Sequence, residues 1–140
     1  ISGFFFVLLL LIAIGVGLYF VQRGTTYVGE ARNPPQNYNL ENSYVFASPL
    51  TARADGREKI RVTVFLLSEQ GLGVPQRQIA ISTEPLAGGA STTRIETVQA
   101  ETDGQGQAVF EVASQTPGKY RVLAQVEGKV FPQAVNINFE

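Results

Sequence analysis

The feature that most constrains this chain is a long run without a charge near its start. Phe4 to Val21 (FFFVLLLLIAIGVGLYFV) holds only apolar residues, glycine and one tyrosine. As a helix these 18 residues would reach about 27 Å, close to the ~30 Å hydrocarbon core of a bilayer. Every Lys, Arg, Asp and Glu lies from Arg23 onward. A helix apolar on all faces cannot be wrapped by the small domain that the rest of the chain can build. It is expected in lipid or in an assembly of its own kind. A cleaved secretory signal fits poorly, because nothing basic precedes the run and no small-x-small site follows Val21. Arg23 and Arg32 flank the C-terminal side, and alone they would hold the downstream part in the cytoplasm. If Ile1 follows a removed basic leader, the downstream part faces outward instead. A processed terminus and a fragment both remain open at Ile1.

After the run the chain is polar. Gln22 to Ser43 (QRGTTYVGEARNPPQNYNLENS) contains Gly24, Gly29 and Pro34–Pro35. Each proline pushes the residue before it out of the helical region, so helix should end by about Asn33. The segment reads as an extended spacer or simply a loop.

From Tyr44 the pattern becomes period two. Lys59 to Leu66 sets Ile60, Val62, Val64 and Leu66 against Lys59, Arg61 and Thr63. Gln78 to Thr83 places Ile79 and Ile81 on one face, and Gln107 to Ala113 does so with Ala108, Phe110 and Val112. Lys119 to Glu127 turns Tyr120, Val122, Ala124 and Val126 inward, and Val135, Ile137 and Phe139 close the series. Each is a strand with one buried face. Asp55-Gly56, Gly71-Leu72-Gly73, Asp103-Gly104, Pro117-Gly118 and Glu127-Gly128 supply the turns between them. No helical periodicity is evident after residue 43. The fold expected is mainly β: one N-terminal hydrophobic helix (1–23), an extended linker (24–43) and an antiparallel β-sandwich of about seven strands (44–140).

Two resemblances follow from these residues. Lys59–Ile81 (KIRVTVFLLSEQGLGVPQRQIAI), Thr102–Val109 (TDGQGQAV) and Thr116–Ala124 (TPGKYRVLA) resemble, in order, three motifs of bacterial Ig-like domains of the invasin/intimin group (Big-1). That resemblance covers residues 44–140. It implies an Ig-like sandwich used as a spacer or adhesive module on a cell surface. This chain has a single copy where the group often stacks several. Ile1-Ser2-Gly3 followed at once by the apolar run resembles a mature archaeal-type pilin or flagellar-filament subunit. It implies helices bundled in a filament core with sandwiches outside. Phe5 stands where bacterial type IV pilins commonly carry Glu, and the helix is shorter than theirs.

Composition excludes most chemistry. The chain has no Cys, His, Met or Trp, which removes disulfides, the commonest general base and the usual transition-metal ligands. Eleven Lys+Arg against twelve Asp+Glu leave a net charge of −1, so no basic field exists for nucleic acid. Asp103-Gly104-Gln105-Gly106 has one carboxylate where a calcium loop needs several oxygen ligands, so it reads as a turn. Gly71-Leu72-Gly73 lacks the Lys and following helix of a phosphate cradle. Asp55 and Glu58 among Arg53, Arg57, Lys59 and Arg61 read as surface ion pairs. Lys59, Lys119 and Lys129 have no Ser three residues upstream on a helix. Thr25, Thr26 and Ser91–Thr93 are weak candidates for O-linked sugars.

No cofactor, metal or catalytic residue is expected. The residues expected to act are those of self-assembly or membrane contact: Phe4, Phe5, Phe6, Leu8, Leu11, Ala13, Gly15, Gly17 and Tyr19. Ala13 and Gly17 are a small-xxx-small pair suited to close helix contact, and Tyr19 and Phe20 suit an interfacial belt. Tyr44 and Phe46 read as the first strand; Tyr27 and Tyr38 are open as interface anchors. The expected partners are copies of the chain in a helical homopolymer, or membrane lipid, with a host or neighbouring-cell ligand also open. The preferred function is a subunit of an extracellular pilus-like filament, membrane-inserted before assembly. The alternative is a single-pass anchored surface module for adhesion or spacing.

Overall fold

The computed structural model describes residues 2–24 and 33–140, with side chains for 3–19 and 33–140. The uncharged run forms one helix, α1 (Ser2–Gly24). Its leucines favour helix, against a cost of about 1 kcal/mol for each of the interior Gly15 and Gly17. The large apolar side chains described on it are all exposed, Phe4 to 75%. Among the described residues no helix is long and apolar enough to cross a membrane. The side chains described on α1 end at Tyr19, short of Phe20 and Val21 at the close of the apolar run.

The second compact unit is Pro34–Glu140, and Ile1–Asn33 is the first. Nine strands build the second unit: β1 (Tyr44–Ser48), β2 (Thr51–Ala52), β3 (Ile60–Phe65), β4 (Ile79–Pro85), β5 (Thr93–Gln99), β6 (Gln107–Ser114), β7 (Gly118–Val126), β8 (Lys129–Val130) and β9 (Val135–Phe139). One sheet runs β1-β3-β6-β5, and the other runs β2-β9-β7-β4 with β8 on β7. All pairs are antiparallel except β2 with β9, which is parallel. The mainly-β sandwich is as expected. Nine strands rather than about seven arise because β2 and β8 are two-residue pairings too short to alternate visibly.

Strand alternation fixes what is inside. Ile60, Val62 and Val64 from β3 and Ala108, Phe110 and Val112 from β6 face Tyr120, Val122, Ala124 and Val126 from β7. Ile137 and Phe139 from β9 complete that wall, with Phe139 edge-on to Tyr120 at 6.0 Å between ring centroids. Each buried aliphatic or aromatic side chain contributes about 1.5–3 kcal/mol. Val74 and Phe131 are also buried, although neither lies on a strand.

The strands give the sandwich two poles. β1, β4, β6 and β9 run away from the pole where Pro34 enters; β3, β5 and β7 run back. The entry pole carries the turns near Gly73, Gly106 and Gly128. The far pole carries the turn at Gly56, the loop after Pro85 and Glu140.

Residues 34–43 belong to this unit rather than standing off it as a spacer. Tyr38 and Leu40 pack against the core. Asn39 N–H donates to Leu67 O at 2.8 Å. The buried Ser43 hydroxyl donates to Asn39 O at 2.8 Å and accepts from Leu67 N–H at 2.9 Å. The rest of the expected linker, with Tyr27, Thr25, Thr26 and Arg32, lies outside the described residues.

Candidate functional site

Two glycine motifs meet at the entry pole. A Cβ on Gly73 would fall onto the Gln105 carbonyl, and one on Gly106 would fall onto Leu66 O and lie 2.9 Å from Gly73 Cα. Gly106 also has φ +75°, a left-handed conformation open to glycine. The motifs Gly71-Leu72-Gly73 and Thr102–Val109 are thus two halves of one backbone-on-backbone contact. Asp103 completes it by accepting Gln105 N–H at 2.9 Å and Gln107 N–H at 3.0 Å. Its carboxylate holds a turn, as expected.

The outer face of the four-stranded sheet is divided. Toward the far pole lies a ladder of charge. Lys59 Nζ meets Glu96 at 2.6 Å and Glu111 at 3.1 Å, Arg61 meets Glu111 at 3.1 Å, and Arg94 meets Glu96 at 3.0 Å. Hydrogen bonds from Lys59, joined at Glu111 by Arg61, hold both carboxyls below the ordinary range. The same bonds, Glu96 first, raise Lys59. Carboxylates clasped by cations in solvent are poor general acids or bases. The ladder joins three strands. Toward the entry pole lies an aromatic patch. Tyr44 stacks on Phe65 at 4.8 Å and 19°, and Phe46 is 54% exposed. Tyr44 and Phe46 do lie on the first strand, but their rings face out because their cross-strand partners are Phe65 and Thr63.

A third grouping holds the incoming chain. Arg77 Nη2 donates to Gln36 O at 2.7 Å, Tyr38 OH donates to Glu127 at 2.8 Å, and Lys129 Nζ lies 5.7 Å from the Tyr38 ring centroid. Partial burial, then the bond to Glu127, pushes the Tyr38 phenol above its ordinary range. Tyr38, left open from sequence, therefore packs on its own domain.

At the far pole an open cavity of about 310 Å³ is lined by Gly56, Thr92, Arg94, Ser114, Gln115 and Thr116. Nearby, Thr83, Ser91 and Thr93 share hydroxyl hydrogen bonds, and Thr92 bonds the Tyr120 hydroxyl at 2.8 Å. Among the described residues no three His, Cys, Asp or Glu side chains are grouped to hold a metal ion. The residues expected from sequence to serve assembly or membrane contact, Phe4, Phe5, Phe6, Leu8, Leu11, Ala13, Gly15, Gly17 and Tyr19, all lie exposed on α1. A Cβ on Gly15 or Gly17 would meet nothing within 4 Å.

The domain's motifs, topology and paired glycines fit one family, and its model matches residues 42–140 as "Bacterial Ig-like domain (group 1)". The chain belongs to this family. Several solved structures share the fold. The adhesin InvE of Yersinia pseudotuberculosis is 19% identical, with a TM-score of 0.62 over 79% of this chain and 29% of that one. Invasin, a bacterial integrin-binding protein, is 22% identical, with a TM-score of 0.63 over 74% of this chain and 20% of its own. The D00-D0 domain of intimin is 20% identical, with a TM-score of 0.56 over 80% of this chain and 51% of that one. The chain thus spans about a fifth to a half of these chains. No curated protein matches the sequence.

Proposed function

We propose that this chain is a cell-surface Ig-like module for adhesion or spacing, held at the surface by α1 in lipid. The observation that carries the reading is the division of the chain. One unit closes its own core; the other exposes apolar side chains all round. A helix with an uncharged run of this kind needs a hydrophobic surrounding that the sandwich does not supply. The family match and the adhesins of like fold support the surface role of the sandwich. Phe4, Phe5, Phe6, Leu8 and Leu11 would meet acyl chains, Ala13, Gly15 and Gly17 would sit toward the other leaflet, and Tyr19 would lie at the interface. The role needs no catalysis and no cofactor. A partner on another cell would meet the sandwich, as integrin is met by invasin.

The expectation of a pilus-like filament subunit gains no support. The family match covers the sandwich alone, and of the similar structures InvE is an adhesin and invasin an integrin-binding protein. Cell fractionation separates the two readings. The anchored module stays with the membranes through shearing and leaves them only in detergent. Release of filaments of uniform width by shearing alone would overturn the proposal.

A further inference from the structure

We infer that the sandwich is a force-resisting element whose two terminal strands take a pull along their length. The inference rests on the surface reading for its purpose, but on strand geometry for its content. Pro34 enters at one pole and Glu140 lies at the other. β1 and β9, the first and last strands, both run from the entry pole to the far pole. A pull on the chain at residue 33, away from the entry pole, therefore acts along β1, and an opposed pull at Glu140 acts along β9.

Each strand is held side-on. β1 is paired with β3 from Tyr44↔Phe65 to Ser48↔Arg61. β9 is paired with β7 from Val135↔Val122 to Phe139↔Gly118. The other edge of β9 meets the first part of the chain again through the parallel β2. Asn138 N–H donates to Leu50 O at 2.9 Å, Glu140 N–H to Ala52 O at 3.0 Å, and Ala54 N–H to Glu140 O at 2.9 Å. Hydrogen bonds perpendicular to a pull must yield together, whereas bonds at the end of a hairpin yield one at a time. The parallel pair also ties the N-terminal segment to the C-terminal strand, so the load crosses between them through only the short Pro49–Leu50 link.

Ahead of β1 the incoming chain is fastened by Arg77 to Gln36, Tyr38 to Glu127 and Asn39 to Leu67. These contacts lie at the entry pole and would peel first, as a short extension before the sandwich itself yields. Forced unfolding reports the unfolding barrier rather than equilibrium stability, so the direction of pull can matter while the fold is unchanged.

The chain has no cysteine, so engineered thiols give unique handles. The full chain in detergent would be pulled in single-molecule force spectroscopy as two variants. Asn33→Cys with Glu140→Cys loads the terminal strands lengthwise. Arg57→Cys with Glu140→Cys pulls two far-pole sites apart and opens β2 from β9 at its end. All three positions are exposed. The expected result is a severalfold higher unfolding force for the first pair at equal loading rate, with the same urea midpoint for both variants. Equal forces, or a lower force for the first pair, would overturn the inference. Neither outcome bears on whether the chain is held in the membrane, which fractionation decides separately.

Discussion

The helix and the sandwich solve the same problem in opposite ways. Both are rich in Val, Leu, Ile and Phe. In the sandwich these alternate with polar residues, so Ile60, Val62 and Val64 turn inward while Arg61 and Thr63 face out. In α1 they are continuous, so no face is polar and no fold within the chain can hide them all. Periodicity, more than hydrophobic content, separates a core from a membrane or assembly element. It follows that changes in one region should leave the other's property untouched.

The largest effect is expected in the sandwich core. Phe139→Ala removes a ring that is 1% exposed and packed on Tyr120, and should cost about 4 kcal/mol. Urea unfolding of the full chain in detergent would show it, with membrane association unchanged. Gly106→Ala should cost about 3 kcal/mol by the same assay, because a methyl group there meets fixed backbone in a left-handed conformation. In the helix, Leu11→Arg places a charge mid-run and should weaken insertion by about 2.5 kcal/mol. Vesicle flotation would report that loss, while the sandwich keeps its urea midpoint. A shift of both properties by any of these changes would break the separation.

Smaller changes sharpen it. Tyr38→Phe removes the bond to Glu127 and should cost about 1 kcal/mol, read as a lowered melting temperature. The smallest effect belongs to the charge ladder. Glu96 and Glu111 have lowered pKa values, so their contribution is present above the ordinary 4.5 and fades as pH falls through the folded values. Lys59, raised from 10.5, loses its share only as pH climbs through its folded value. Glu111→Gln should therefore flatten the acid limb of a stability–pH profile below about pH 4.5 and leave vesicle flotation unchanged.

Most of the core was legible because β3, β6 and β7 alternate strictly. β5 was not, because it is an edge strand: only Ile95 among its apolar side chains packs on the core, and a register shift between Thr97 and Gln99 breaks the period. Val74 and Phe131 were missed because they are buried from loops, where no period announces them. Tyr38 and Leu40 were assigned to a spacer because polar, proline-rich sequence hides the few contacts that fasten it. The charged groups near residue 59 were visible in sequence, but their partners Glu96 and Glu111 are distant in the chain. The close approach of Gly73 and Gly106 likewise needs the fold, although both motifs were visible separately.

In the proposed role the sandwich stands outside the cell while α1 holds it there. Arg23 and Arg32 alone would argue the opposite side, so topology is the sharpest test. A single thiol at exposed Arg57 (R57C) in the otherwise cysteine-free chain can be challenged with a membrane-impermeant maleimide on intact cells. The proposed role predicts full labelling without lysis, on a protein that sediments with membranes until detergent is added. Labelling only after lysis would contradict it.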